Sequence, residues 1–214
     1  MAISLKKGQG VSLKKSEYDL SMVTIGLGWD INEEKKGFLG GLFGKKEEEY
    51  DLDVIAFLCN ASGKVGKLGT NSRGEVTLVG GDIVFFNSMR HESGCVWLTG
   101  DNRTGAGEGD DEQIIVKLND LSEAYQKIVF VVQIYKGRER NQNFGKVQNA
   151  FIRAVDNKGK EMARFDLSGG AAFAQYCSML FAELVRESGG WKFNAIGSPD
   201  QSDSFVTWLK QYCN

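Results

Sequence analysis

Apolar and β-branched residues recur along the chain in runs of about five to nine, separated by glycine or polar clusters. This rhythm predicts strands at 21–29, 51–59, 83–86, 113–118 and 127–135, and further strands at 147–155, 161–167, 178–186 and 191–196. The last two flank residues 187–190, a glycine-containing loop of hairpin length. Residues 171–185 read two ways, because Phe173, Tyr176, Met179 and Leu180 also form a helical stripe; the second half is assigned to strand. Residues 203–212 predict a short C-terminal helix that packs on the strands. Ser202 or Asp203 can cap it, and Phe205, Val206, Trp208, Leu209 and Tyr212 cluster at helical spacing. No internal period points to a solenoid or propeller, so the pattern is that of an all-β sandwich or barrel.

Composition narrows the class. A chain of 214 residues with 42% apolar and 25% charged positions has enough apolar material for one ordinary globular domain, and a disordered chain is excluded. With 27 glycines and one proline, Pro199, it is rich in flexible turns and poor in breakers, which favours many short strands. The formal charge is -2, so no global positive field draws it to nucleic acid, and no nucleic-acid partner is expected. Lys6, Lys7, Lys14 and Lys15 read as a solvated strand face. No run approaches the roughly 18 apolar residues of a membrane span, and the first eleven residues hold no apolar signal region, so a cytoplasmic address is expected. Cys59, Cys95, Cys177 and Cys213 are dispersed without a C-x-x-C, and the one histidine is His91; reduced, buried thiols are expected, not a zinc finger. His91 reads as an exposed loop residue.

Two segments break the strand rhythm. Residues 32–49, NEEKKGFLGGLFGKKEEE, place charge blocks around a small apolar tip between strands that should pair. They read either as a solvated insertion or as a docking tip whose Phe38, Leu39, Leu42 and Phe43 meet a partner or membrane surface. A phosphate loop ending at Gly44-Lys45 would need glycine at Leu39 and a hydroxyl at Lys46, and has neither.

The second segment, residues 100–112, is GDNRTGAGEGDDE: five carboxylates (Asp101, Glu108, Asp110, Asp111, Glu112) against Arg103. Two carboxylates about 5 Å apart repel by roughly 1 kcal/mol in water and more near protein, so gathering several requires a counter-charge. Calcium accepts about six to eight oxygen ligands, and Gly105, Gly107 and Gly109 let backbone carbonyls turn inward. An EF-hand is excluded: its third, fifth and sixth positions would be Arg103, Gly105 and Ala106, and the flanks read as strands. Strand alternation offers further oxygens. Asp51 and Asp53 share a face with Ile55 and Phe57, Asp30 closes the preceding strand, and Asp82 and Asn87 bracket the strand at 83–86.

These residues resemble the tellurium-resistance TerD family of bacterial stress proteins. The similarity runs over nearly the whole chain through Val11-Ser-Leu, Gly26-Leu-Gly-Trp-Asp30, Asp51-Leu-Asp53, Asp82-Ile-Val-Phe-Phe-Asn87, the loop at 100–112, Asn143-Phe-Gly-Lys-Val, Ala150-Phe-Ile-Arg153, Ala163-Arg-Phe-Asp-Leu167 and Trp191-Lys-Phe. The loop at 100–112 is the specific part. The resemblance implies a two-sheet β-sandwich with short peripheral helices, one domain over 1–214, that binds calcium near the acidic loop and has no established enzymatic activity. Carried over by position, it implies metal ligands at Asp101, Asn102, Asp110, Asp111 and Glu112, then Asp30, Asp53, Asp82 and Asn87, with Glu108 at a variable acidic position. Family members often carry an acidic residue just before Asp82, where Gly81 stands here, and the insert at 32–49 is longer than is typical of the family.

The expected function is a non-enzymatic, calcium-binding stress-response protein associated with tellurite resistance. In it, calcium couples folding to docking of other tellurite-resistance proteins, membrane-associated ones among them. The alternative is a divalent-metal-dependent enzyme acting on phosphate esters or nucleotides, with magnesium or manganese on the carboxylates and Arg103 or Arg153 gripping phosphate. Redox handling of tellurite by thiols is a third reading; Cys59 and Cys177, lying in apolar runs, argue against it.

Overall fold

The computed structural model describes residues 3–31, 50–100, 109–167 and 171–213. The insert at 32–49, for which two readings were open, and the loop residues Asp101, Asn102 and Glu108 lie outside the described residues. The strands are β1 (Ile3–Leu5), β2 (Gly10–Lys14), β3 (Val23–Ile31), β4 (Leu52–Cys59), β5 (Gly69–Thr70), β6 (Val76–Thr77), β7 (Ile83–Val84), β8 (Val96–Leu98), β9 (Glu112–Val116), β10 (Lys127–Ile134), β11 (Val147–Val155), β12 (Glu161–Leu167), β13 (Ser178–Glu187) and β14 (Gly190–Asp200), followed by the helix α1 (Val206–Tyr212). They form two six-stranded sheets packed as a sandwich. The first has the order β1-β12-β11-β3-β9-β8 and the second β2-β14-β13-β10-β4-β7, with β5 and β6 as a separate pair. Every pairing is antiparallel except that of β1 with β12.

The central strand β4 is buried along its whole length because each of its faces has its own cover. Leu52, Val54, Ala56 and Leu58 point between the sheets, where they meet Ile25, Leu27, Ile114, Phe130 and Val132. Ile55, Phe57 and Cys59 point outward, into a second apolar cluster with Val129, Val131, Phe85, Phe205 just before the helix and the helix residues Trp208 and Leu209. The alternation of period two is therefore hydrophobic in both phases, as expected for a strand covered on two sides.

One ambiguous stretch is resolved with its second half in a strand, as assigned, and two other local expectations are corrected. Residues 171–185 divide: Ala171–Phe173 is a single 3-10 turn, and the strand begins at Ser178. The strand at 83–86 is shorter than expected, since Phe85 and Ser88 exchange backbone hydrogen bonds and close a tight turn over Phe86 and Asn87. Helix α1 starts at Val206 with Phe205 as its N-cap and no side-chain cap. Asp203 is occupied instead by the Arg138 amide, and Ser202 by the amide of Ser204. The four lysines of the N-terminal cluster are exposed, as read from the sequence.

Candidate metal centre

The acidic loop returns to the sandwich across a lane of glycine on β3. Gly26 and Gly28 lie on the outer face of the first sheet. A Cβ at Gly26 would overlap the Asp110 carboxylate, and one at Gly28 would overlap the Phe151 ring and stand 2.6 Å from the Gly109 carbonyl oxygen. Only the absence of side chains lets residues 109–110 lie flat on this strand. The backbone then locks in: the Asp111 amide donates to the Leu27 carbonyl at 2.8 Å, and Glu112 pairs with Leu27 as β9 begins.

Each carboxylate that follows is oriented by a nitrogen donor. Asp110 Oδ1 accepts from Arg153 Nε at 2.8 Å, and Arg153 Nη1 donates to Glu161 at 3.0 Å, so one guanidinium serves two carboxylates. Asp111 Oδ2 accepts the Trp29 amide at 2.9 Å. Glu112 is buried, and its Oε2 crosses to the second sheet to accept the Val54 amide at 2.6 Å. Asp30 Oδ2 accepts from Asn149 Nδ2 at 2.7 Å, and Asn149 reaches it from an irregularity in β11, where its own φ is 50°. On the second sheet, Asp53 Oδ2 accepts from Gln133 Nε2 at 2.9 Å, and the Asp51 carbonyl accepts the Tyr135 amide. The turn holding Asn87 sits at this same end, since the Phe86 ring packs on Tyr135 with centroids 6.0 Å apart.

The structure thus brings Asp30, Asp53, Asn87, Asp110, Asp111 and Glu112 to one end of the sandwich, from both sheets. It places Asp82 elsewhere. The Asp82 carbonyl accepts the Leu58 amide, five residues along β4 from Asp53, a separation of about 16 Å. There its carboxylate, 3% exposed, accepts from the Tyr125 hydroxyl at 2.8 Å and lies 3.1 Å from His91 Nε2. His91 is not the exposed loop residue expected from the sequence but is 2% exposed, with Nδ1 accepting the Ser93 amide. Gly81, where the family often has a carboxylate, is packed so closely that a Cβ would stand 2.7 Å from the Lys67 carbonyl oxygen.

Electrostatics distinguishes the members of the cluster. Burial pushes the Asp111 carboxyl above its ordinary value, the Trp29 amide opposes this, and the negative charges of Asp30 and Asp110 raise it further. The donor set is entirely oxygen, which by its chemistry fits a hard divalent cation, not a soft one. Among the described residues, no group of three or more His, Cys, Asp or Glu side chains completes a metal site alone. Asp101, Asn102 and Glu108, which the sequence assigns to the same site, lie outside them. Two contributors carried no clear signal as site partners: Gln133, a lone amide in an apolar strand, and Arg153, read from sequence only as a phosphate grip.

The chain matches the TerD domain over residues 1–212. It is 73% identical over 212 residues to tellurium resistance protein TerX of Serratia marcescens, covering 99% of this chain and 100% of that protein. It is 40% identical over 199 residues to general stress protein 16U of Bacillus subtilis (strain 168), covering 92% of this chain and 91% of that one. Its fold is similar to the crystal structure of a homologue of telluride resistance protein (TerD) from Streptomyces coelicolor A3(2), with a TM-score of 0.59 at 21% identity, covering 87% and 94% of the two chains.

Proposed function

Because the chain belongs to the TerD family, we propose that it is a non-enzymatic stress-response protein associated with tellurite resistance, binding calcium at the acidic end of the sandwich. The observation that carries this reading is that Asp30, near the end of β3, and Asp110 act electrostatically on Asp111 at the place where the acidic loop re-enters the fold, with Glu112 next to it at the start of β9 and Asp53 at the same end of the second sheet. Asp30, Asp53, Asn87 and Asp111 would hold the ion together with Asp101, Asn102 and Glu108. Asp110 and Glu112 would act mainly as anchors, through Arg153 and the Val54 amide. Calcium supplies two positive charges against carboxylates that burial and mutual repulsion disfavour.

The enzyme alternative loses support from the same geometry, since the Arg153 guanidinium is engaged by Asp110 and Glu161, and His91 is buried against Asp82. Among the described residues no helix is long and apolar enough to cross a membrane. A cytoplasmic site of action, with calcium linking folding to docking of other tellurite-resistance proteins, completes the proposal. The test is a thermal melt in calcium and in chelator. Calcium at 100 times its dissociation constant should stabilise the native state by about 2.7 kcal/mol, which for a domain of this size is a midpoint rise of roughly 5–11 °C. Coincident midpoints would overturn the calcium reading.

A further inference from the structure

Away from the acidic end, the one histidine of the chain stands between a buried carboxylate and an exposed hydroxyl. His91 Nε2 lies 3.1 Å from Asp82 Oδ1, and Nδ1 lies 2.8 Å from Oγ of the exposed Ser93. Two independent partners fix the tautomer. An ionised Asp82 only accepts, so Nε2 carries the proton; the Ser93 amide, 3.2 Å from Nδ1, only donates, so Nδ1 carries a lone pair. The Ser93 hydroxyl therefore donates to Nδ1. The Cys95 amide donates to Ser93 Oγ at 3.1 Å and occupies an acceptor position, which leaves the hydroxyl proton to the ring. On the far side, the Tyr125 hydroxyl donates to the same Asp82 oxygen at 2.8 Å, and its ring meets the imidazole edge to face with centroids 5.4 Å apart. Carboxylate and imidazole are thus held in one orientation.

We propose that Ser93 is a reactive serine that accepts an acyl group from small activated esters, with His91 as its base and Asp82 as the positioning residue. A hydroxyl on an imidazole that is itself oriented by a carboxylate is the arrangement that makes serine nucleophilic, and either ring nitrogen serves as the base. In the transfer, the Ser93 Oγ–H proton passes to His91 Nδ1 and an Oγ lone pair forms the bond to the ester carbonyl carbon. The ester C–O bond breaks with its electron pair on the departing alcohol oxygen, which takes the proton back from Nδ1. The products are acyl-serine and alcohol. The reaction is confined to good leaving groups and stops there, because the two amides after Ser93 are engaged: that of Gly94 by the His91 carbonyl and that of Cys95 by Oγ itself. Ser93 is therefore a modification site, not a centre of turnover. The inference does not depend on the calcium reading.

The experiment treats the full chain with an alkyl fluorophosphonate, a serine-directed electrophile whose P–F bond takes the place of the ester C–O bond, and measures the rate at each serine by peptide mass spectrometry. Ser72, an exposed serine in the turn between β5 and β6, is the internal reference. Ser93 should be modified about a hundredfold faster than Ser72. Because the chain has one histidine, an imidazole 15N–1H spectrum reads the tautomer directly, and the neutral ring should carry its proton on Nε2. Asp82→Asn can turn its NH2 toward Nε2 and so move the proton to Nδ1; in it the Ser93 rate should fall by at least about tenfold, with near-UV circular dichroism unchanged. Equal rates at Ser93 and Ser72 in the wild type, or a neutral ring protonated on Nδ1, would overturn the proposal, and neither measurement needs a variant to fold. A folded Asp82→Asn protein that keeps the wild-type rate would also overturn it.

Discussion

Replacing Gly26 by alanine tests the geometry of the acidic end with a sign opposite to the generic one. Glycine inside a strand ordinarily costs about 0.5–1 kcal/mol relative to alanine, so Gly26→Ala should by default stabilise the protein. Here the added methyl group would occupy the space of the Asp110 carboxylate, which is pinned by Arg153 Nε at 2.8 Å and whose side chain is only 4% exposed. Asp110 must move, and the Arg153 pairing moves with it. Separating a fully buried pair costs about 3–5 kcal/mol, but the Arg153 side chain is 28% exposed and retains Glu161. Solvent therefore offsets much of the loss, and a net destabilisation of about 1–2 kcal/mol remains, or roughly 2–8 °C in the midpoint. The assay is urea unfolding in chelator, so that metal does not enter, for Gly26→Ala, Asp110→Ala and the double variant. With the carboxylate gone the methyl group has room, so the second substitution should cost little or nothing on the Asp110→Ala background. A stabilised Gly26→Ala protein, or an equal cost on both backgrounds, would refute the argument.

Asp82→Ala should lower stability by about 2–4 kcal/mol, because it strands the donors of the buried His91 and the half-buried Tyr125, yet calorimetry should find calcium affinity within about twofold of wild type. A tenfold loss would return Asp82 to the ligand set. Asp111→Asn keeps an acceptor for the Trp29 amide and removes a charge that burial and its neighbours disfavour. Its melting point in chelator should equal or exceed that of wild type, while most of the gain of about 2.7 kcal/mol from calcium disappears. Burial pushes the Cys59 thiol up to about 12 and also raises Cys177, so at neutral pH a thiol reagent should modify the partly exposed Cys213 well before either. Rapid native labelling of Cys59 would contradict its place beneath α1.

The strands were readable where alternation or continuous apolar runs were long, as in β4, β10 and β13, because a covered strand must be apolar wherever it meets a core. Short edge strands such as β1 and β8 bury too few side chains to leave that mark. The helix was legible from its stripe, but its start was not: Ser202 and Asp203 serve other amides, and the acceptor for the Phe205 amide comes from Gln133, seventy-two positions from it. The acidic cluster was legible as charge needing a counter-charge. Its division was not, because the assignment of Asp110 to Arg153 and of Asp82 to His91 depends on which strands lie side by side. Gly26 and Gly28 were visible as matching residues, and their physical role appears only once the Gly109 carbonyl and the Asp110 carboxylate lie over them.

That β4 is a wall common to two hydrophobic compartments has a consequence for how the molecule comes apart. Neither compartment can melt while the other stays intact, since loss of order in β4 uncovers both at once. Unfolding of the sandwich and of the outer layer should therefore be a single cooperative event, with the amides of β4 and β10 the last to exchange with solvent.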